Sequence, residues 1–93
     1  MSYQVEISAS AQRDIARLPG HIRQEARHRV RELAQNPRPP KSKELQGYPN
    51  LYRIWLDGKW RIVYHIDDDA GIVRIVRVRE KGPRIYEDLG TAE

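Results

Sequence analysis

The sequence predicts an α+β domain of order β-α-α-β-β-β, an antiparallel sheet with a helical hairpin packed on one face. Three observations lead there. Apolar residues recur at helical spacing in two adjacent stretches of the first third of the chain. In the second half three segments alternate apolar and polar residues, as half-buried strands do. The connections between those segments, Asp57-Gly58-Lys59 and Asp67 to Gly71, are of hairpin length, which implies antiparallel pairing. With 93 residues, one domain spanning 1–93 is expected.

Taken in order, Tyr3, Val5 and Ile7 alternate with Gln4 and Glu6 and read as a strand with one buried face. Ser8 or Ser10 then caps a helix whose stripe is Ala11, Ile15 and Leu18, and Pro19-Gly20 ends it. A second helix follows at once, with Ile22, Ala26, Val30 and Leu33 on one face and Asn36-Pro37 as its stop. So short a link folds the two back on each other as an antiparallel hairpin. Pro37, Pro39 and Pro40 make a stiff linker that leads through Lys41 and Lys43 to a turn at Gly47-Tyr48-Pro49-Asn50. Strands follow near 51–56, 60–66 and 72–79, and Tyr86 to Leu89 reads as a helical turn.

Composition narrows the function. There is no cysteine, so disulfides and thiolate metal sites are excluded. No apolar run approaches the ~20 residues of a membrane span. Met1 to Glu6 has neither a basic nor a long apolar segment, so no secretory signal is read there and a cytoplasmic protein is expected. No metal-ligand cluster and no cofactor motif is evident. The net charge is +4, with 17 Lys+Arg against 13 Asp+Glu. Of the basic residues 13 are arginine, the side chain whose planar fork suits phosphate and stacks on bases, so a nucleic-acid partner is expected.

The hairpin at 51–66 concentrates this chemistry. A two-residue turn would set Ile54 opposite Arg61 and mix the faces. A three-residue loop sets Leu56 opposite Trp60, Ile54 opposite Ile62 and Tyr52 opposite Tyr64, giving one apolar face for the helices. Trp55 then lies opposite Arg61 on the other face, and Arg53 lies diagonally from Arg61, ~7 Å away between Cβ atoms. Two guanidiniums that cannot lose a proton repel unless an anion bridges them, as a phosphate would with a base on the indole. The alternative is a pair of ordinary solvent-facing arginines, joined to Asp57 or Glu44. In the third strand Arg74 and Arg77 are expected on opposite faces. His65 reads as an exposed strand residue ~13 Å along from Arg61, and His21 and His28 as solvated.

The succession Lys43-Glu44-Leu45-Gln46-Gly47-Tyr48-Pro49-Asn50-Leu51-Tyr52-Arg53-Ile54, then Trp60-Arg61-Ile62-Val63-Tyr64, Val76-Arg77-Val78 and Ile85-Tyr86, resembles the RelE/ParE toxin superfamily. Within it the likeness is to RelE-like mRNA interferases, the ribosome-dependent toxins of type II toxin–antitoxin systems. The resemblance implies a metal-independent endoribonuclease that inhibits translation by driving an mRNA 2′-hydroxyl onto the neighbouring phosphate. By position it implies Arg61 as the central phosphate-stabilising residue, Arg53 as a basic partner and Tyr86 as the residue that orients substrate. Lys81 and Arg84 stand in for a late basic pair that here reads Glu80-Lys81, and Trp55 replaces a second basic residue of the first hairpin strand. Lys41, Lys43, Trp55, Lys59 and Arg84 are the further residues expected at RNA. The implied partners are a cognate antitoxin, mRNA on the ribosome, and operator DNA only through the antitoxin. The superfamily also contains ParE-like inhibitors of DNA gyrase without nuclease activity, and an attenuated RNA- or ribosome-binding relative is the third reading.

Overall fold

The alternation at the N-terminus forms strand β1 (Gln4–Ile7) in the computed structural model, which describes residues 2–80. Ser8 rather than Ser10 caps the first helix, its hydroxyl accepting from the Ala11 N–H at 3.0 Å. That helix, α1, covers Ala9–Ala16, and the second, α2, covers Gly20–Gln35 with Pro19 at its N-cap position. The stripe residues Ala11, Ile15, Leu18, Ile22, Ala26, Val30 and Leu33 are all buried.

Four more strands complete the sheet: β2 (Lys43–Glu44), β3 (Leu51–Leu56), β4 (Trp60–Asp67) and β5 (Ile72–Glu80). Their spatial order is β1-β5-β4-β3-β2. The β3–β4 register is the one that a three-residue loop demands, with Leu56 opposite Trp60, Ile54 opposite Ile62 and Tyr52 opposite Tyr64. Asp57 and Gly58 both turn through positive φ there, at 55° and 70°, the second a conformation that only glycine adopts freely. Ile54, Leu56, Ile62, Tyr64, Ile66, Val73, Ile75 and Val78 bury one sheet face against the helical stripes. Helix α1 packs chiefly on β5, and α2 reaches β1, β3 and β5.

Three features depart from expectation. The first strand joins β5 in parallel, Gln4 opposite Ile72 and Ile7 opposite Ile75, because the helical hairpin carries the chain back across the sheet before β5 arrives. The segment read as linker contains β2, which adds an edge to β3 with Lys43 opposite Arg53 and Glu44 opposite Tyr52. A bulge at Val63/Tyr64 then skips Val76, so that Arg74 lies opposite His65 and Arg77 opposite Val63. The one extra residue puts Arg74 and Arg77 across from the same sheet face rather than on opposite ones.

That second face is not uniformly solvated. Val63 is fully buried on it beneath Leu45, Tyr48, Leu51 and Val76, since the loop from β2 to β3 folds over the sheet. Leu45 and Leu51 close the loop by a backbone hydrogen bond of 2.8 Å. On the helical side a polar latch fastens the proline-rich stretch: Arg38 donates to both oxygens of Asp68, at 3.2 and 2.8 Å, and to the Tyr52 hydroxyl at 3.1 Å. Tyr3 donates to Asp68 at 2.7 Å, and the buried Tyr64 hydroxyl donates to the Pro37 carbonyl at 2.8 Å. Among the described residues no helix is long and apolar enough to cross a membrane.

Candidate nucleic-acid interface

The sheet face turned from the helices carries cations from four neighbouring strands. Lys43 of β2 lies opposite Arg53 of β3. Trp55 of β3 lies opposite Arg61 of β4, and Arg61 opposite Arg79 of β5. Residues opposite each other in a sheet share a face, so Lys43, Arg53, Arg61 and Arg79 form a band that crosses it.

Trp55 organises the middle of this band. The Arg61 guanidinium lies 4.5 Å from its ring centroid and that of Arg53 5.8 Å, both over the indole. Each gains by facing the electron-rich ring, worth about 0.5–1 kcal/mol at a partly exposed site. Together these contacts oppose the repulsion between two cations that stay charged at every working pH. Neither carboxylate considered from the sequence pairs with Arg53: among the described residues no acidic group lies within ion-pair distance of it. The Glu44 carboxylate instead accepts the Asn50 N–H at 3.0 Å. A base arriving at this point has to share the indole with two guanidiniums, which makes Trp55 first of all a holder of arginines.

Sequence reasoning missed Asp14, which anchors the far end of the band. It is 6% exposed, the one buried charged residue among those described. Its carboxylate accepts from Arg77 at 3.0 and 3.3 Å and from the Val78 backbone N–H at 3.0 Å, and it lies 3.6 Å from the Arg79 guanidinium. Strand β1 stops pairing at Ile75, so the edge of β5 beyond it is open to α1, and Asp14 fills the role of the missing strand. The signal was present in the pattern: positions 11, 14, 15 and 18 share one helix face, so an aspartate at 14 points at the core.

The remaining expected residues divide. Lys41 is exposed in the turn before β2, outside the band. Lys59 is drawn away from it, 3.3 Å from Glu80 and 5.3 Å from the centroid of Trp60, whose side chain packs on the helical core. Arg74 pairs with Glu6 at 2.8 Å. His65 is half-buried rather than exposed, because the β2–β3 loop walls one side of it. His21 is exposed, and His28 is exposed beside Glu32 at 3.3 Å. Lys81, Arg84, Tyr86 and the expected C-terminal turn lie outside the described residues.

Comparison with known proteins accords with this architecture. Residues 5–82 match the model of the ParE toxin of type II toxin–antitoxin systems. No curated protein sequence matches the chain significantly. Among solved structures, the free RelE toxin of E. coli, as a double arginine-to-alanine mutant, superposes with a TM-score of 0.84 at 22% identity, covering 99% of this chain and 98% of that one. The RelBE toxin–antitoxin complex of Mycobacterium tuberculosis gives 0.76 at 26% identity, over 87% of this chain and 100% of the other. A YoeB/ParE toxin from Agrobacterium tumefaciens gives 0.73 at 14% identity, over 85% and 99%. The matched span takes in both helices and, but for Gln4, all five strands, and the chain belongs to the ParE toxin family of type II toxin–antitoxin systems, within the RelE/ParE superfamily.

Proposed function

We propose that the toxin is a ribosome-dependent mRNA endoribonuclease. The observation that carries this reading is the Arg53–Trp55–Arg61 cluster, two guanidiniums held close together over one indole on the sheet face turned from the helices. In the reaction the substrate's 2′-oxygen forms a bond to the adjacent phosphorus while the bond to the 5′-oxygen of the next nucleotide breaks. A 2′,3′-cyclic phosphate and a free 5′-hydroxyl result, and the 2′-proton is balanced by the proton given to the leaving oxygen. The transition-state phosphorane carries one more negative charge than the diester. Arg61, with Arg53 beside it, meets that charge in a fixed position with no reorganisation. A guanidinium and an indole have no free lone pair to accept the 2′-proton, so the proton acceptor comes from outside this trio. Lys81 and Tyr86 are the further residues assigned to catalysis, and Lys43 to the RNA track.

We further infer a cognate antitoxin, as in the M. tuberculosis complex. An acidic segment laid across the arginine band would neutralise it, and operator DNA would be bound only through that antitoxin.

The test maps new mRNA 5′ ends on translating ribosomes. Wild-type protein produces them, and Arg61→Ala abolishes them while keeping a native melting transition. Cleavage by a folded Arg61→Ala protein sinks the reading. A second reading, inhibition of DNA gyrase without nuclease activity, is favoured by the match to a ParE model and by Trp55 standing where a further cation would serve a nuclease. Loss of supercoiling by gyrase, with no new mRNA ends, decides for it.

A further inference from the structure

Beside the arginine band, on the same face, lies a cleft of about 630 Å³ that the chemistry above leaves unused. Leu51 and Val76, which cover the buried Val63, supply apolar surface. Tyr48 and Pro49 of the β2–β3 loop contribute to one side and the first turn of α1, at Ala9 and Ser10, to another, with His65 and Arg74 also lining it. Apolar residues bounded by hydroxyl, imidazole and guanidinium groups match a nucleobase, which is flat and apolar on its faces and polar along its edge. The cleft's own arginines are engaged by carboxylates, Arg74 by Glu6 and Arg77 by Asp14, so the cleft itself offers phosphate little. Spacing agrees: Arg61, Val63 and His65 follow one another on this face of β4 in steps of about 6.7 Å, comparable to one nucleotide of an extended strand.

We propose that this cleft seats a nucleobase one or two nucleotides from the phosphate held at Arg53 and Arg61, and so sets the sequence preference of the toxin. This rests on the nuclease reading for its biological meaning, but not for its test. The full chain, labelled with ¹⁵N, is titrated with each of the four nucleoside 5′-monophosphates and, in parallel, with inorganic phosphate. Nucleotides are expected to shift the amides of Tyr48, His65 and Val76 as well as those of Arg53 and Arg61, and phosphate only the latter pair. Ala9→Trp puts bulk into the cleft from an exposed helix position, away from the core. It is expected to weaken nucleotide binding about tenfold, the scale of one lost base-stacking contact, and to leave phosphate binding unchanged. On translating ribosomes the same variant is expected to redistribute cleavage sites.

Nucleotide shifts confined to Arg53 and Arg61, or an Ala9→Trp protein that binds nucleotides as wild type does, overturn the proposal while leaving the nuclease reading intact. A cleft that ignores nucleotides but responds to an antitoxin peptide also overturns it, in favour of protein docking. Nucleotides that fill the cleft of a protein unable to cut mRNA support the base site and remove only the nuclease reading.

Discussion

Replacing Asp14 by alanine tests whether the far end of the arginine band is held by one carboxylate. The side chain is 5% exposed and its partner Arg77 13%, so this is a buried ion pair, and truncating one member leaves the other's charge in a low-dielectric setting. Such truncations cost about 3–5 kcal/mol. Arg79, 37% exposed, stays solvated when the carboxylate goes, which places Asp14→Ala near the lower end, about 3 kcal/mol. Asparagine keeps an oxygen for the Val78 N–H and loses the charge on the two hydrogen bonds from Arg77, so Asp14→Asn should cost about 2 kcal/mol. Equilibrium urea unfolding reads both: with m near 1.5 kcal/mol/M, ordinary for a small domain, the alanine variant moves the midpoint down by about 2 M. Glu6→Gln is the control, since the Glu6–Arg74 bridge is 41% and 55% exposed and is worth under about 1 kcal/mol. If Asp14→Ala moves the midpoint no further than Glu6→Gln does, the clamp is not what holds β5 to α1.

Tyr64 is fully buried, and burial pushes its hydroxyl up to about 12. Because the folded value lies above the unfolded one, the stabilisation is complete below about pH 10 and is lost as pH rises toward 12. Chemical denaturation across that window should show this alkaline limb in wild type, and Tyr64→Phe should reduce it to the part left by Tyr3, whose hydroxyl is also raised by its hydrogen bond to Asp68; the variant also forgoes the hydrogen bond to Pro37, about 1 kcal/mol. Asp68 behaves oppositely: hydrogen bonding from Arg38, then from Tyr3, holds its carboxyl below the usual aspartate range. Its contribution is present above about pH 4 and lost as pH falls through the folded value. Asp68→Asn should abolish that acid limb, and an unchanged acid limb refutes the latch. Trp55→Lys adds a cation to the band, so the slope of log K against log salt for single-stranded RNA should steepen by about 0.7, and a constant slope in filter binding argues that RNA does not lie there.

The hairpin was legible in detail because a slip of one residue would have set Arg61 against Ile54 inside the core, and hydrophobic patterning forbids that. The helices were legible through their stripes for the same reason. The bulge at Val63/Tyr64 was not, since a single extra residue in a strand rich in valine and arginine leaves alternation intact on either side of it. With the bulge unseen, alternation sets Arg74 and Arg77 on opposite faces, and it gives no hint that Arg77 pairs with Asp14. Strand β2 was hidden for a different reason. Two exposed residues, Lys43 and Glu44, carry no alternating pattern and pair only because β3 offers them an edge. Of the site, Arg53, Trp55 and Arg61 follow from register alone, whereas the cleft depends on a loop that folds back over the sheet.

Trp55 bears on both readings of the toxin. A lysine at this position would bring a further charge to a phosphate but would repel its two arginine neighbours. The indole brings no charge and instead draws both guanidiniums over its ring, so the site exchanges charge for order. A nuclease can use that exchange, because catalysis depends on cations already in place when the phosphorane forms, and a fixed pair does more there than a mobile trio. A protein that docks on another protein can use it too, since tryptophan and arginine are the residues most often found at the energetic centre of such interfaces. The two uses respond differently to an uncharged replacement at Arg61. Glutamine retains much of the side chain's reach and some of its hydrogen bonding but cannot meet the extra charge of the transition state, so a nuclease loses turnover far more than RNA affinity. A docking surface loses affinity and has no turnover to lose.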